Sequence, residues 1–552
     1  MRAWVLGAVA GLLAASAACA ETPGVAACSA LKGWNAPASA IGLPTRGAYV
    51  VTAAVEGRPG GDAGHCKVEA AIRPIGDAPE IRVSLSLPSA WNGKALMLGG
   101  GGFDGVMPVT DGPLFDLPAD KVPTPLQRGY VVFGSDSGHQ SNSASAPIPA
   151  VDAEFALNEE AFRNYAGDAI KKTRDASLAL TRAYYGREAE SVYFAGGSNG
   201  GREALVAVSR WPRDFDGAIA LYPFWNGGTA ALAFGHVMHG FAKPGAYVGP
   251  DLQALLFETV MTQCDALDGL ADRLVSNPDA CRADLAPIAC GPAAATHPCL
   301  SPPQIAALRR YASPVRFAYR RSGERAYPGW PVLQGADLRG AQQLGQTAPV
   351  SPPVPEMPII GHFWDGFLRF VAARDPALNA LKVDPTAPGD LAPALDAAAR
   401  SLDAPPIDLS DFTAHGGKLI VVHGLADAIV SPWSTDEYWR RLEALNGKAR
   451  LVRSARFFTI PGYGHGPGGL SAFEPIWDPL AALDVWREAG TAPDGLTIED
   501  GSPTARGQRP LCAFPTWIQY RGIGDPRQAG SFTCAAPAVS RQGRGAVPPT
   551  RP

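Results

Sequence analysis

Four short apolar runs frame the chain, each followed by glycine, proline or a polar residue. They are Lys94-Ala-Leu-Met-Leu98, Ser191-Val-Tyr-Phe-Ala195, Lys418-Leu-Ile-Val-Val422 and Ala455-Arg-Phe-Phe-Thr-Ile460. Runs of five or six residues bounded in this way predict strands buried on both faces. The run at 191 passes through Gly196-Gly-Ser-Asn-Gly200 into an amphipathic helical segment, and Ala161–Tyr185 carries helical periodicity over a longer stretch. Strands alternating with helices from about residue 25 to 225 predict an α/β fold. The chain shows no repeats and no heptads.

Ser198 sits in a G-x-S-x-G motif placed between a predicted strand and a predicted helix. The pentapeptide alone is a weak signal in a chain with 62 glycines. Its setting is what matters, because a sharp strand-to-helix turn lifts the serine hydroxyl clear and aims helix amides at a developing oxyanion. A serine needs a base, and the base needs an acid to hold its tautomer. In α/β-hydrolases these follow in the order Ser, Asp or Glu, His. Asp427 lies just past the strand at 418–422, and His465 is the one histidine after it, again in a loop past a strand. Taken singly, Asp427 reads equally well as a turn former and His465 as a surface histidine; in this order they predict a triad. The oxyanion donors expected are the amide of Asn199 and one from the run Gly99-Gly-Gly-Gly-Phe-Asp-Gly105, with Gly101 or Gly102 the donor there.

More than two hundred residues separate Ser198 from Asp427, far more than one or two βα units need. The domain reading is a signal peptide at 1–20, a first core part at 21–223, a lid at 224–408, a second core part at 409–534 and a disordered tail at 535–552. Within the lid, Cys264-Asp-Ala-Leu-Asp-Gly-Leu-Ala-Asp272 gathers Asp265, Asp268 and Asp272 around a glycine. That pattern suits an oxygen-ligated cation or, equally, a solvated acidic turn. His236 and His239 could be half of a zinc site but lack a third ligand, which favours ordinary lid histidines. Phe363, Phe367 and Phe370, with Trp364, read more readily as a buried helix face than as a pocket lining. Phe224 and Trp225, just past the strand after the nucleophile helix, are better pocket residues.

Composition narrows the setting. A net charge of −4 argues against nucleic acid and anionic membrane surfaces as partners, and 52 prolines with 62 glycines suit a loop-rich enzyme. Met1-Arg2, an apolar core to Leu13 and small residues to Ala20 read as an export signal, too short for a membrane span. Periplasmic or secreted location follows, with lipid anchoring through Cys19 the less favoured alternative. Without Cys19 an even set remains: Cys28, Cys66, Cys264, Cys281, Cys290, Cys299, Cys512 and Cys534. An even set in an exported chain suggests disulfides, although the residues alone leave about a hundred connectivities open.

These segments, with Trp211-Pro-Arg-Asp-Phe-Asp-Gly217, Tyr327-Pro-Gly-Trp330, Pro461-Gly-Tyr-Gly-His465 and Arg509-Pro-Leu-Cys512, resemble the tannase and feruloyl esterase family, which includes mono(2-hydroxyethyl) terephthalate hydrolases. The resemblance runs along nearly the whole mature chain. It implies an α/β-hydrolase core with a large lid inserted between nucleophile and acid, and cleavage of esters of aromatic carboxylic acids such as gallate and ferulate. It places Ser198, Asp427 and His465 in the triad. With local closure, it favours the pairs Cys28–Cys66, Cys264–Cys281, Cys290–Cys299 and Cys512–Cys534. It also implies a structural Ca²⁺ on Asp265, Asp268 and Asp272 with the carbonyls of Leu270 and Leu274. In one respect the chain departs from the family. Where members carry bridged cysteines beside the nucleophile and the catalytic histidine, this chain has Gly197 and Gly466. Both are lost together, which marks a separate branch and predicts a small gap between two backbones within disulfide distance.

The function expected is an exported serine ester hydrolase for small-molecule esters working through an acyl-enzyme. The alternatives are an aliphatic polyester-oligomer hydrolase or a peptidase with the same triad and, from another class, a non-catalytic binding protein on a hydrolase scaffold. The oligomeric state is not encoded in any of these features.

Overall fold

The computed structural model describes residues 25–57, 64–142, 148–291, 297–340, 343–467 and 471–537. The export signal, Cys19 and the chain from 538 onward lie outside them. A ten-stranded sheet forms the centre: β1 (Asn35–Ala36), β2 (Ala48–Glu56), β3 (His65–Ile72), β4 (Ile81–Pro88), β5 (Lys94–Leu98), β6 (Val131–Ser135), β7 (Ser191–Gly197), β8 (Gly217–Leu221), β9 (Lys418–Gly424) and β10 (Ala455–Ile460). Its spatial order is β1-β2-β3-β4-β6-β5-β7-β8-β9-β10. All four apolar runs are strands of its parallel half, from β6 to β10.

The first half of the chain departs from the expected alternation. Strands β1 to β4 pair antiparallel, with no helix among the described residues between β2, β3 and β4. Their connections of only a few residues can join antiparallel neighbours but cannot make the crossover that a parallel pair needs. Only beyond β6 do helices alternate with strands. The predicted helix at Ala161–Tyr185 is present, kinked near Gly167 into Glu159–Arg163 and α1 (Ala169–Tyr185).

The apolar runs are continuous because both sheet faces are covered. Along β7, Val192 and Phe194 enter the core that holds Leu205 and Val208 of α2 (Asn199–Arg210), while Tyr193 and Ala195 enter the core that holds Leu483 and Trp486 of the helix Pro479–Ala489. The register brings the strand ends level. Gly197 pairs with Leu221, Val422 pairs with Leu221, and Gly424 pairs with Ile460. Three loops therefore leave the same edge of the sheet, where α/β folds build their sites.

Between β8 and β9 the chain leaves the sheet as a largely helical body with its own core around Phe234, Trp330 and Trp364. Its helices include Gly227–Phe241, Pro250–Cys264, Pro302–Ala312, Ile359–Gly366 and Ala392–Leu402, and a hairpin pairs Val315–Arg321 with Glu324–Tyr327. Its two ends lie side by side: the Ala404 amide donates to Trp225 O at 2.7 Å and the Gly228 amide to Asp403 Oδ1 at 3.1 Å.

Four disulfides are formed: Cys28–Cys66, Cys264–Cys281, Cys290–Cys299 and Cys512–Cys534. Cys28–Cys66 closes a segment of 38 residues and ties the N-terminal segment onto β3. Its loop-closure contribution is about 3–4 kcal/mol. Replacing both cysteines by serine should lower the urea midpoint accordingly, whereas an unchanged midpoint would show that packing alone holds the N-terminus.

Candidate active site

The turn that carries Ser198 begins where β7 ends. Ser198 has φ 58° and ψ −118°, a backbone state that non-glycine residues rarely adopt. It is held by its amide on Leu221 O at 3.0 Å, and its carbonyl accepts from the Arg202 amide at 3.1 Å and the Phe224 amide at 3.0 Å. Close approach explains the neighbouring glycine: a Cβ on Gly200 would lie 2.6 Å from Gly100 O. With no side chain there, the Gly200 amide reaches that oxygen at 3.0 Å and joins the glycine loop to the start of α2.

Asp427 and His465 come from the loops after β9 and β10. Ser198 Oγ lies 2.9 Å from His465 Nε2, and His465 Nδ1 lies 2.8 Å from Asp427 Oδ2. With Nδ1–H donating to the carboxylate, Nε2 is left to accept the serine proton. Asp427 is fully buried, and its Oδ1 accepts the amides of Ile429 at 2.8 Å and Val430 at 2.9 Å. Burial alone would push its carboxyl up, but His465 and His423 hold it well below the usual carboxylate range. His423 was not foreseen in the sequence. Its Nε2–H lies 3.0 Å from Val430 O and 3.3 Å from Asp427 Oδ2, while its Nδ1 accepts from the Thr435 hydroxyl at 2.8 Å. A second imidazole thus backs the acid.

The inserted body grips the loop that carries Asp427. Tyr311 Oη donates to Ala428 O at 2.5 Å, Trp330 Nε1 to Ile429 O at 3.0 Å and Ser431 Oγ to Gly329 O at 2.6 Å.

On the other flank lies the glycine loop. The Gly100 amide donates to Glu203 Oε2 at 3.0 Å, so it is not free for an oxyanion. Among the described residues the amides of Gly101, Gly102 and Asn199 have no acceptor within the protein, and a Cβ on Gly101 would meet nothing within 4 Å. The Asn199 side chain is locked: Nδ2 donates to Asp104 at 3.0 and 3.1 Å, and Oδ1 accepts from Arg202 Nε at 2.7 Å. Asp104 and Glu203 are both buried beside this network. Burial pushes both carboxyls up, that of Asp104 further because of the Glu203 charge, with the Arg202 guanidinium opposing.

The acidic turn at 265–274 tests the cation expectation. Asp265 Oδ1 accepts three amides, from Asp272, Arg273 and Leu274 at 3.0, 2.7 and 3.2 Å. Asp268 Oδ1 accepts the Leu270 amide at 3.0 Å, and its carboxyl is pushed up to about 6 by burial and by Asp272 and Asp265. Asp272 Oδ2 accepts from Arg509 Nη2 at 2.6 Å, while its Oδ1 is buried with no hydrogen-bond partner among the described residues. A buried carboxylate oxygen with no partner suits a hard cation, although the oxygens of Asp265, Asp268 and Asp272 do not all lie within 4.8 Å of one another. The histidines do not fit zinc: His236 Nε2 accepts from Arg310 Nε at 2.9 Å and His239 faces Ala380 O at 3.4 Å.

The aromatic residues divide. Trp364 and Phe367 are buried in the lid core, and Trp225 is turned inward with Nε1 on Ser434 O at 3.0 Å. Phe224 and Phe363 are half-buried and border a small cavity with Phe103, Tyr165 and Arg202. The gap expected between Gly197 and Gly466 is filled. A Cβ on Gly197 would lie 2.8 Å from the ring of Tyr222, and one on Gly466 would lie 3.4 Å from its hydroxyl. Gly466 also has φ 98°, a conformation that excludes an unstrained cysteine.

A serine hydrogen-bonded through histidine to a buried aspartate, at the strand ends of an α/β-hydrolase sheet, defines a class of hydrolases. The chain belongs to the tannase and feruloyl esterase family, whose sequence model, described as Tannase and feruloyl esterase, matches residues 66–535, and it is a carboxylic ester hydrolase. It is 37% identical to an uncharacterized esterase of Agrobacterium fabrum, over 92% of this chain and 93% of that one. It is 31% identical to the mono(2-hydroxyethyl) terephthalate hydrolase of Piscinibacter sakaiensis, over 93% and 92%. The crystal structure of feruloyl esterase B from Aspergillus oryzae shares the fold, with a TM-score of 0.74 at 22% identity, covering 93% of this chain and all of that one.

Two outcomes follow from this geometry. The Asp104–Glu203 pair keeps a proton that the unfolded chain loses above the ordinary carboxylate range, so its contribution to stability is complete in acid and falls as pH rises. Glu203→Gln should flatten the loss of stability between mildly acid and alkaline pH, measured by urea unfolding across that range. The double change Gly197→Cys with Gly466→Cys should lower the melting temperature, since Tyr222 occupies the space; a bridged and more stable variant would show that the ring can move aside.

Proposed function

We propose that the protein is an exported serine esterase that cleaves esters of aromatic carboxylic acids through an acyl-enzyme on Ser198. The observation that carries this reading is the unbroken hydrogen-bonded chain from Ser198 Oγ through His465 to buried Asp427. Ser198 Oγ attacks the ester carbonyl while its proton passes to His465 Nε2. Asp427, kept ionised, stabilises the imidazolium and holds its orientation. The negative charge on the carbonyl oxygen is taken by the amides of Asn199 and of Gly101 or Gly102. His465 returns the proton to the leaving alkoxide, and water then repeats the sequence on the acyl-enzyme. An aromatic acyl group is supported by the half-buried rings of Phe224 and Phe363 near the glycine loop and by two relatives named for terephthalate and feruloyl esters. Residues 224–408 act as the lid that shapes this pocket. Export is supported by the N-terminal pattern and four disulfides. No helix among the described residues is long and apolar enough to cross a membrane.

In the acidic turn, Asp265, Asp268 and Asp272, with the carbonyls of Leu270 and Leu274, would hold Ca²⁺. The ion would add positive charge beside Asp265 and Asp268 and would brace the lid against the C-terminal segment, to which Arg509 already links Asp272.

Ser198→Ala should abolish turnover of a feruloyl or galloyl ester with the melting curve unchanged, and Asp427→Asn should cost about 10⁴ in rate. Near-normal turnover in either variant removes the assignment. Faster turnover of a hydroxybutyrate dimer or an amide than of feruloyl and galloyl esters would favour the aliphatic or peptidase alternative. Failure to react with an active-site phosphonate would favour a binding protein. A chelator should lower the melting temperature of the natural protein but barely shift that of Asp268→Ala, and identical curves with and without chelator would leave only a solvated acidic turn.

A further inference from the structure

Tyr222 follows the last residue of β8, and nothing in its sequence setting marks it. Its φ is 33°, in the left-handed region where a bulky aromatic residue is a genuine outlier. The conformation is pinned by its own amide, which donates to Val422 O at 2.7 Å, so the strain lies between two parallel strands of the sheet. Strain that persists at such a position directs attention to what the side chain does there.

The ring lies between the two loops that carry the reacting groups. On one side is Gly197, the residue before the nucleophile, where an added Cβ would stand 2.8–2.9 Å from three atoms of the phenol. On the other side is the histidine loop. The ring centroid is 4.7 Å from that of His465, at an interplanar angle of 51°, and an added Cβ on Gly466 would reach the phenol oxygen at 3.4 Å. The far end of the ring meets Tyr463, whose ring lies 5.9 Å away and edge-on. Tyr222 is 8% exposed, and burial pushes both hydroxyls up, so the contact stays neutral over the range in which an esterase works. The absence of side chains at 197 and 466 is thus the counterpart of a ring inserted between them.

We propose that Tyr222 is a positioning residue for the ester-cleaving reaction, an aromatic wedge that sets the spacing between the nucleophile turn and the histidine loop and so holds His465 Nε2 on Ser198 Oγ. This rests on the reading of Ser198 and His465 as nucleophile and base. The ring touches the imidazole and the backbone beside the serine. It works by steric separation: without it the imidazole has no surface to rest on from that side, and the Ser198–His465 contact loosens. Misplacement of a reacting group by about 1 Å costs on the order of 10²-fold in rate.

The test compares Tyr222→Phe, Tyr222→Leu and Tyr222→Ala, each alone and combined with Gly197→Ala, by kcat and KM for one aromatic ester, the pH profile of kcat and the melting temperature. Tyr222→Phe keeps the wedge and should stay within about threefold of the natural kcat. Tyr222→Ala should lose about 10²-fold in kcat with KM little changed and with a displaced acid limb of the pH profile, because that limb reports the base. Gly197→Ala should be harmful in the natural protein, where its methyl meets the ring, and nearly silent beside Tyr222→Ala; such non-additivity marks direct contact. If Tyr222→Ala fails to fold, Tyr222→Leu, which is too short to span from Gly197 to the histidine loop, must show a loss in kcat in the same direction. Natural kcat in Tyr222→Ala or in Tyr222→Leu, or losses that track the unfolded fraction with an unmoved pH profile, would overturn the proposal. Residual turnover in Ser198→Ala would instead overturn the underlying reading, whatever the Tyr222 variants do.

Discussion

A fully buried carboxylate is the constraint around which this molecule is organised. Asp427 has no exposed surface, and an ionised carboxyl in that position survives only where every lone pair is answered. Two imidazoles and two backbone amides answer it here. Each answer commits a different part of the chain. His465 commits the loop after β10 and His423 commits β9 itself. Ile429 and Val430 commit a loop that is tight only because Tyr311, Trp330 and Gly329 of the inserted body hold it from outside. The acid therefore links sheet, histidine loop and lid, and its loss would be felt in all three.

The nucleophile side is organised by close backbone approach. Gly200 lets α2 begin against the Gly100 carbonyl, and the Asn199 side chain then reaches Asp104 in the glycine loop. Asp104 and Glu203 close that network as buried carboxyls, both pushed up by burial, so that each favours its neutral form more than an exposed acid does. The result is a division of labour between two acids and one. Asp427 is held charged by imidazoles, while Asp104 and Glu203 are pushed toward their neutral forms by burial. Burial pushes all three the same way, and only their partners separate them.

What could be read from the sequence was whatever depends on chain order or local pattern. Ser198, Asp427 and His465 each follow an apolar strand, so order alone brought them to one edge of a parallel sheet. The antiparallel start is not visible in apolar content; its signal is the short connections at 57–64 and 73–80, which forbid crossovers. The aromatic residues beside the nucleophile strand were separable only in three dimensions, since Trp225 turns into the core to reach Ser434 O while Phe224, one residue earlier, stays beside the cavity. Tyr222 and Glu203 carry no local signature, because their meaning comes from neighbours about twenty-five to more than two hundred residues away in the chain, and His423 meets Asp427 only four positions on at a spacing no motif marks. The pair Gly197 and Gly466 was legible as a correlated change and misread as an empty gap, because a sequence shows that a side chain is missing but not what stands in its place.

The grip of the inserted body on the acid loop bears on how substrate enters. A lid that swung away as a unit would break the bonds from Tyr311 and Trp330 to Ala428 and Ile429 and would release the loop that holds Asp427. Opening by hinge motion and a charged, buried Asp427 are therefore in conflict. These bonds hold the inserted body against the core, with the half-buried rings of Phe224 and Phe363 beside the cavity. The bonds between Ala404 and Trp225 and between Gly228 and Asp403 point the same way, because they fasten both ends of the insertion to each other beside the strand that leads into it. The inserted body is thus fastened both at its base and at its inner face, so the loop that carries Asp427 and the insertion form one packed unit.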